Sequence, residues 1–287
     1  MENAHKNDVN QVLDKMKMIK FQEVFMAAVE LLKKEPIMLL ALFFAPLVVN
    51  AVLESYVYPL ILTPVAAQPI VVLVLTLVFS VISALIGFFG FGLLVRAASK
   101  VYAGHKVDPG ETVAFVQKHF VDAIKLAIKL FIYTGAWILL AYFLVAGLLT
   151  VVAPALALTL MALSPIAVIV YIVLFFKKMV NSSMSYAIFF SEEKPEIEGS
   201  LKRSLELCES ITWTLVGNYV LMGLVNAVIS MIIVAILGAI LLAVGTFGTA
   251  LAAAVSSAVV GTLGVLFQYC LKGQVEKFRG HSAHHSA

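Results

Sequence analysis

Apolar positions in this chain come in long unbroken runs rather than in alternation. None of residues 35–95, 130–176 or 210–271 is Lys or Arg, and these three runs are 47 to 62 residues long. One membrane-spanning helix takes about 20 residues. Each run therefore holds two spans and a turn, which predicts six spans, at 37–57, 69–95, 126–151, 154–176, 213–242 and 249–271. The absence of strand-like alternation argues against a β-barrel. The expected fold class is all-α: a polytopic membrane bundle of six transmembrane helices arranged as three hairpins.

Shorter segments between the runs carry apolar residues at helical spacing. Val24, Phe25, Ala28, Leu31 and Leu32 form one stripe, Val113, Val116, Phe120 and Ile124 a second, and Leu201, Leu205 and Cys208 a third. They predict amphipathic helices lying along the membrane surface, where flanking Lys and Arg suit anionic headgroups. Asp108-Pro109-Gly110-Glu111 reads as a helix start: Asp108 caps, Pro109 takes the first helical position, and Glu111 completes a capping box. Acidic residues recur near the helix starts at Glu23, Glu111 and Glu198, spaced by 88 and 87. That period points to a threefold internal repeat of one helix–hairpin unit.

Charge sets the orientation. All 20 basic residues fall in the segments 1–34, 96–129, 177–209 and 272–287, on one side of six alternating spans. The positive-inside rule makes that side the cytoplasm, with both termini there and the chain in the cell membrane. The organisation expected is a cytoplasmic N-terminal amphipathic segment at 1–20, a transmembrane domain at 21–279 and a flexible tail at 280–287. No cleavable signal peptide is expected. The composition, 62% hydrophobic and 13% charged, leaves too little polar surface for an ordinary soluble enzyme.

Tyr102-Ala103-Gly104-His105-Lys106-Val107 ahead of Glu111, and Tyr186-Ala187-Ile188 followed by Glu198-Gly199-Ser200-Leu201-Lys202-Arg203-Ser204-Leu205-Glu206-Leu207, resemble recurring signatures of a large prokaryotic group of six-span proteins. The group includes the YciC-like proteins and the membrane domain preceding some glycerophosphodiester phosphodiesterases. The resemblance implies a fold and a membrane location, and no catalytic residue. There is no room here for an appended phosphodiesterase domain, so that activity is not implied.

Sites of chemistry are few. No Walker A loop, H-E-x-x-H, C-x-x-C or G-x-S-x-G occurs. The candidate intramembrane polar residues are Asn50, Glu54, Asn226 and Ser230. Glu54 is the only acid inside a span, one turn after Asn50, and an acid at membrane depth is costly and hence a functional candidate. The competing reading puts it at the outer end of its span, reaching headgroup water. Asn226 and Ser230 read as glue between helices. Gly248, Ala252, Ser256, Gly261 and Gly264 present a small-residue packing face on the sixth span, and Gly87, Gly90 and Gly92 do the same on the second. His281, His284 and His285 form a poor metal site in a terminal tail, and Cys208 and Cys270 face a reducing compartment. No cofactor, metal or nucleic-acid partner is expected; membrane lipids are, with a homo-oligomer or a membrane-protein partner. The leading functional expectation is a non-enzymatic organiser of lipid or partner proteins. A transporter or channel for a small or apolar substrate follows, helped by Pro46 interrupting the first span. An intramembrane enzyme comes last.

Overall fold

The computed structural model describes residues 19–209, 211–241 and 246–284. Most of the expected N-terminal segment, 1–18, lies outside them, as does His285. Among the described residues there is no strand. Five helical stretches are long and apolar enough to cross a membrane, and a sixth exists if one sharply bent pair counts as a single span.

The first hairpin opens with α1 (Phe21–Lys34), followed by α2 (Pro36–Val52). The helix does not stop where the sequence places its outer loop, at 58–68. It continues through a π-helical turn, Leu53–Val57, then α3 (Tyr58–Leu62) and a 3-10 turn, Thr63–Val65. Pro59 explains the irregularity. It has no N–H for the carbonyl of Ser55, and its ring crowds that carbonyl, so the backbone widens just before it. Tyr58 N–H then bonds the Leu53 carbonyl, five residues back. Nor does Pro46 interrupt α2, which runs through it unbroken. The return helix is α4 (Pro69–Tyr102), and Pro46 rests on it at Gly90, where an added Cβ would stand 3.2 Å from the proline ring.

The second unit departs most from expectation. A single third span at 126–151 is replaced by α5 (Pro109–Tyr133) and α6 (Ala136–Val152), bent 81° from each other. Gly135 makes the corner, with φ +73 in the left-handed region that glycine alone enters freely. The ring of Phe175 also lies 3.0 Å from where a Cβ would stand, so the position excludes a side chain twice over. The fourth span is split as well, into α7 (Pro154–Ala162) and α8 (Ser164–Ser182). Pro165 removes the donor that the Met161 carbonyl would take in a continuous helix. α9 (Ser185–Ser191) extends α8. At the start of α5, Asp108 caps Gly110 N–H at 2.7 Å and Glu111 N–H at 3.3 Å. The carboxylate of Glu111 is engaged by Lys100 at 2.7 Å instead of closing the capping box.

The third unit is α10 (Ile197–Cys208), α11 (Thr212–Leu241) and α12 (Thr246–His284). The last helix runs past Gly280, where the sequence reading began a tail.

Burial is uneven along the helices. At the end where the basic residues gather, α4 buries every residue from Leu93 to Ala98, and Phe189, Phe190, Leu266, Phe267 and Leu271 fill the space around them. Gly92 admits the ring of Phe190, which would lie 2.8 Å from a Cβ there. The stripes expected to rest on lipid are buried here on protein: Val24, Ala28 and Leu31 of α1, Val116 of α5, Leu201 and Cys208 of α10. At the uncharged end the helices bury little. Within the most apolar stretch of α4 or α11 only 6% of residues are buried, against 50% in α12, the helix about which the others gather. Ion pairs tie the basic end from outside. Arg203 reaches Glu192 at 2.8 Å and Glu276 at 2.7 Å, and Lys129 reaches Glu198 at 2.6 Å.

Candidate functional site

The polar residues of the first hairpin collect around Glu54. Asn50 Nδ2 donates to Glu54 Oε1 at 2.9 Å, one turn apart on the same face. The amide oxygen of Asn50 is buried with no hydrogen-bond partner. Glu54 sits in the π-helical turn, and such turns often occur at functional sites. One turn further on, the Tyr58 ring stacks on Phe79 of α4 with centroids 4.1 Å apart. Its hydroxyl lies 3.2 Å from Ser83 Oγ and donates to the Phe79 carbonyl at 3.4 Å.

Two clefts adjoin Glu54. One, of about 390 Å³, lies between α4 and the π-helical turn with α3, and is lined by Glu54, Tyr58, Thr76, Ser80 and Ser83, with Leu62 and Phe79. The other, of about 280 Å³, lies towards α12 and is lined by Asn50, Glu54, Ser55 and Ser257, with Leu47 and three alanines. Glu54 lines both. Because the helix continues to Val65, Glu54 stands well inside a 30-residue helical stretch rather than at its end. It is eighteen residues past Pro36, about 27 Å along the axis.

The other sequence candidates fall on the α11–α12 seam. Ser230 Oγ and Ser256 Oγ are 2.9 Å apart, and Ser256 is buried. Asn226 points its amide nitrogen at Gly264, 3.5 Å from where a Cβ would be, and its amide oxygen has no partner. Ala252 is buried. Gly261 faces α2 instead: a Cβ there would stand 2.3 Å from the Phe43 ring. Gly248 lies in the first turn of α12, and its surroundings lie outside the described residues. Cys208 and Cys270 are both buried, and no disulfide joins them. No group of metal-ligating side chains occurs among the described residues; the side chains of His281 and His284 lie outside them.

Sequence reasoning picked out Asn50 and Glu54 and missed Tyr58, Thr76, Ser80, Ser83 and Ser257. A signal was present: Thr76, Ser80 and Ser83 follow each other at four and three residues, one face of an otherwise apolar helix. At the basic end, Arg96 is buried with its guanidinium 3.9 Å above the Phe115 ring. Asn181 accepts from Thr212 Oγ1 at 2.7 Å and, through its carbonyl, from Ser204 Oγ at 2.8 Å. These contacts join α8, α10 and α11. No protein-family model matches the chain, and no curated protein or solved structure matches it either.

Proposed function

We propose that this multi-pass integral membrane protein is non-enzymatic and organises lipid or partner proteins around itself, in the cell membrane with both termini cytoplasmic. The observation that carries the reading is the division of the fold: a packed basic end, and spans at the other end that give nearly all their surface to the surroundings. α4 and α11 bury 6% of their most apolar stretch. An ordinary helix bundle of this size spends such surface on itself. Here it is offered outward, to acyl chains or to other apolar helices. Two motifs at the basic end that resemble YciC-like proteins agree with a membrane role without chemistry.

Extraction in native-membrane discs tests this. The expected result is a disc enriched in one lipid class, or in a defined partner protein, relative to the parent membrane. Discs with bulk lipid composition and no associated protein would overturn it.

The clefts at Glu54 favour a second reading, transport. Against it, an ion-coupling carboxylate needs a charged or titratable partner and access from both sides. No Lys, Arg or His occurs in any of the three long uncharged runs. Proton-driven uptake into reconstituted vesicles, abolished by Glu54→Gln, would promote transport over the organising role.

A further inference from the structure

We propose that the clefts flanking Glu54 form a binding site for a primary ammonium group. The inference does not rest on the organising role, since a soluble amine would serve the site as well as a lipid headgroup.

Three observations converge. The first is charge. Glu54 makes no ion pair among the described residues, and the sequence supplies no basic side chain at its depth. A carboxylate near hydrocarbon gains most from a cation that comes from outside the chain. The second is an imbalance of hydrogen-bonding groups. Asn50 spends its Nδ2 on Glu54 and leaves its own Oδ1 buried without a donor. Glu54 therefore lines the cleft with a single amide donor on its carboxylate, beside the hydroxyls of Ser55 and Ser257, while Asn50 Oδ1 is sealed behind it. A primary ammonium brings three N–H donors and a positive charge. A quaternary ammonium brings the charge alone and can donate neither to the Glu54 carboxylate nor to the hydroxyls of the cleft walls. The third is room and reach. The cleft of about 390 Å³ continues from Glu54 past Tyr58 to Ser80 and Ser83, so polar walls extend beyond the charged point. Glu54 is exposed, so a lipid headgroup and a solute from the aqueous side can both reach it.

The experiment places the full chain in discs of phosphatidylglycerol carrying either phosphatidylethanolamine or phosphatidylcholine, and counts retained lipids by native mass spectrometry. A parallel arm titrates free ethanolamine into phosphatidylglycerol discs and follows thermal unfolding. One charge-assisted contact supports a preference of about tenfold or more. Phosphatidylethanolamine held about tenfold over phosphatidylcholine, and released by Glu54→Gln, supports the site with a lipid source. Ethanolamine raising the unfolding temperature of the wild type and not of Glu54→Gln supports it with a soluble source. Asn50→Leu keeps the carboxylate and removes the amide that holds it in place; it should weaken either preference several-fold, and it decides the matter if Glu54→Gln does not fold. Equal retention of the two lipids together with no response to ethanolamine overturns the proposal. So does a preference unchanged in both variants. Enrichment of some other lipid class in native discs would leave the organising role standing while this site fell.

Discussion

Replacing Gly261 by alanine should destabilise the protein, although alanine is the better helix former. A Cβ at 261 would stand 2.3 Å from Cε1 and 2.8 Å from Cζ of Phe43. Carbon atoms pack at about 3.5–4.0 Å, so the ring edge must retreat by more than about 1 Å. Phe43 is a rigid ring packed against the core rather than the loose end of a flexible chain. Overpacking of this kind costs about 1–3 kcal/mol. The gain from removing a mid-helix glycine is about 0.5–1 kcal/mol. The difference is a net loss of about 0–2.5 kcal/mol, with its middle at about 1 kcal/mol. Gly223 on α11 supplies the control: nothing lies within 4 Å of its would-be Cβ, so Gly223→Ala collects only the helix gain. Thermal unfolding in lipid discs should rank Gly223→Ala at or above wild type and Gly261→Ala below it. Phe43→Leu should recover part of the loss in the double variant, as coupled neighbours do. The reasoning fails if Gly261→Ala melts with Gly223→Ala, or if the double variant shows no coupling.

Gly135→Ala should cost more than Gly104→Ala: both glycines have positive φ, worth about 1–2 kcal/mol to an L-residue, but only Gly135 also meets a ring, that of Phe175 at 3.0 Å. Equal melting of the two variants would show that the ring yields freely. A cysteine at Gln68 should react with an impermeant reagent from outside intact cells and one at His105 should not; the reverse pattern would turn the topology over. Glu198 is held below the ordinary carboxylate value, by its hydrogen bond from Lys129 first and the charge of Lys129 second. A lowered carboxylate lends its contribution above its unfolded value and loses it as pH falls through the folded one. Glu198 is exposed, so salt should erase the shift; a carboxyl ¹³C titration at low salt that ends at or above the free-peptide value would refute this.

The legible parts of the fold were those fixed by local chemistry. The starts of α4 and α11 follow from Pro69 and from the polar residues ahead of Trp213, and Asp108 announces the cap of α5. The corner at Gly135 was not read, because a lone glycine in an apolar stretch also serves close packing; only φ and Phe175 tell the two apart. The split at Leu163 was legible in Pro165 and was overridden by unbroken hydropathy. The π-helical turn follows from Pro59, but a proline near an expected span end reads equally well as a loop. Glu54 and Asn50 were found because each is rare at its depth. The clefts were not, since Tyr58, Ser80 and Ser83 gain meaning only once α4 lies against the first helix. The amphipathic stripes were read correctly as faces needing cover, while the source of the cover, protein rather than lipid, depended on distant helices.

Phe21, at the start of α1, sets its ring tilted against that of Phe267 in α12, with centroids 5.3 Å apart. The order of synthesis gives that contact a cost in time. A ribosome adding about 5–20 residues per second needs roughly 12–50 s to pass from the first of these rings to the second. Through that interval Val24, Ala28 and Leu31 have no final partner, and the packed end of the molecule cannot close. The nascent chain must meanwhile park an apolar stripe on the bilayer surface or in the grip of the insertion machinery. A helix made early is thus among the last to reach its place, and damage to α12 is felt at α1, far away in the sequence.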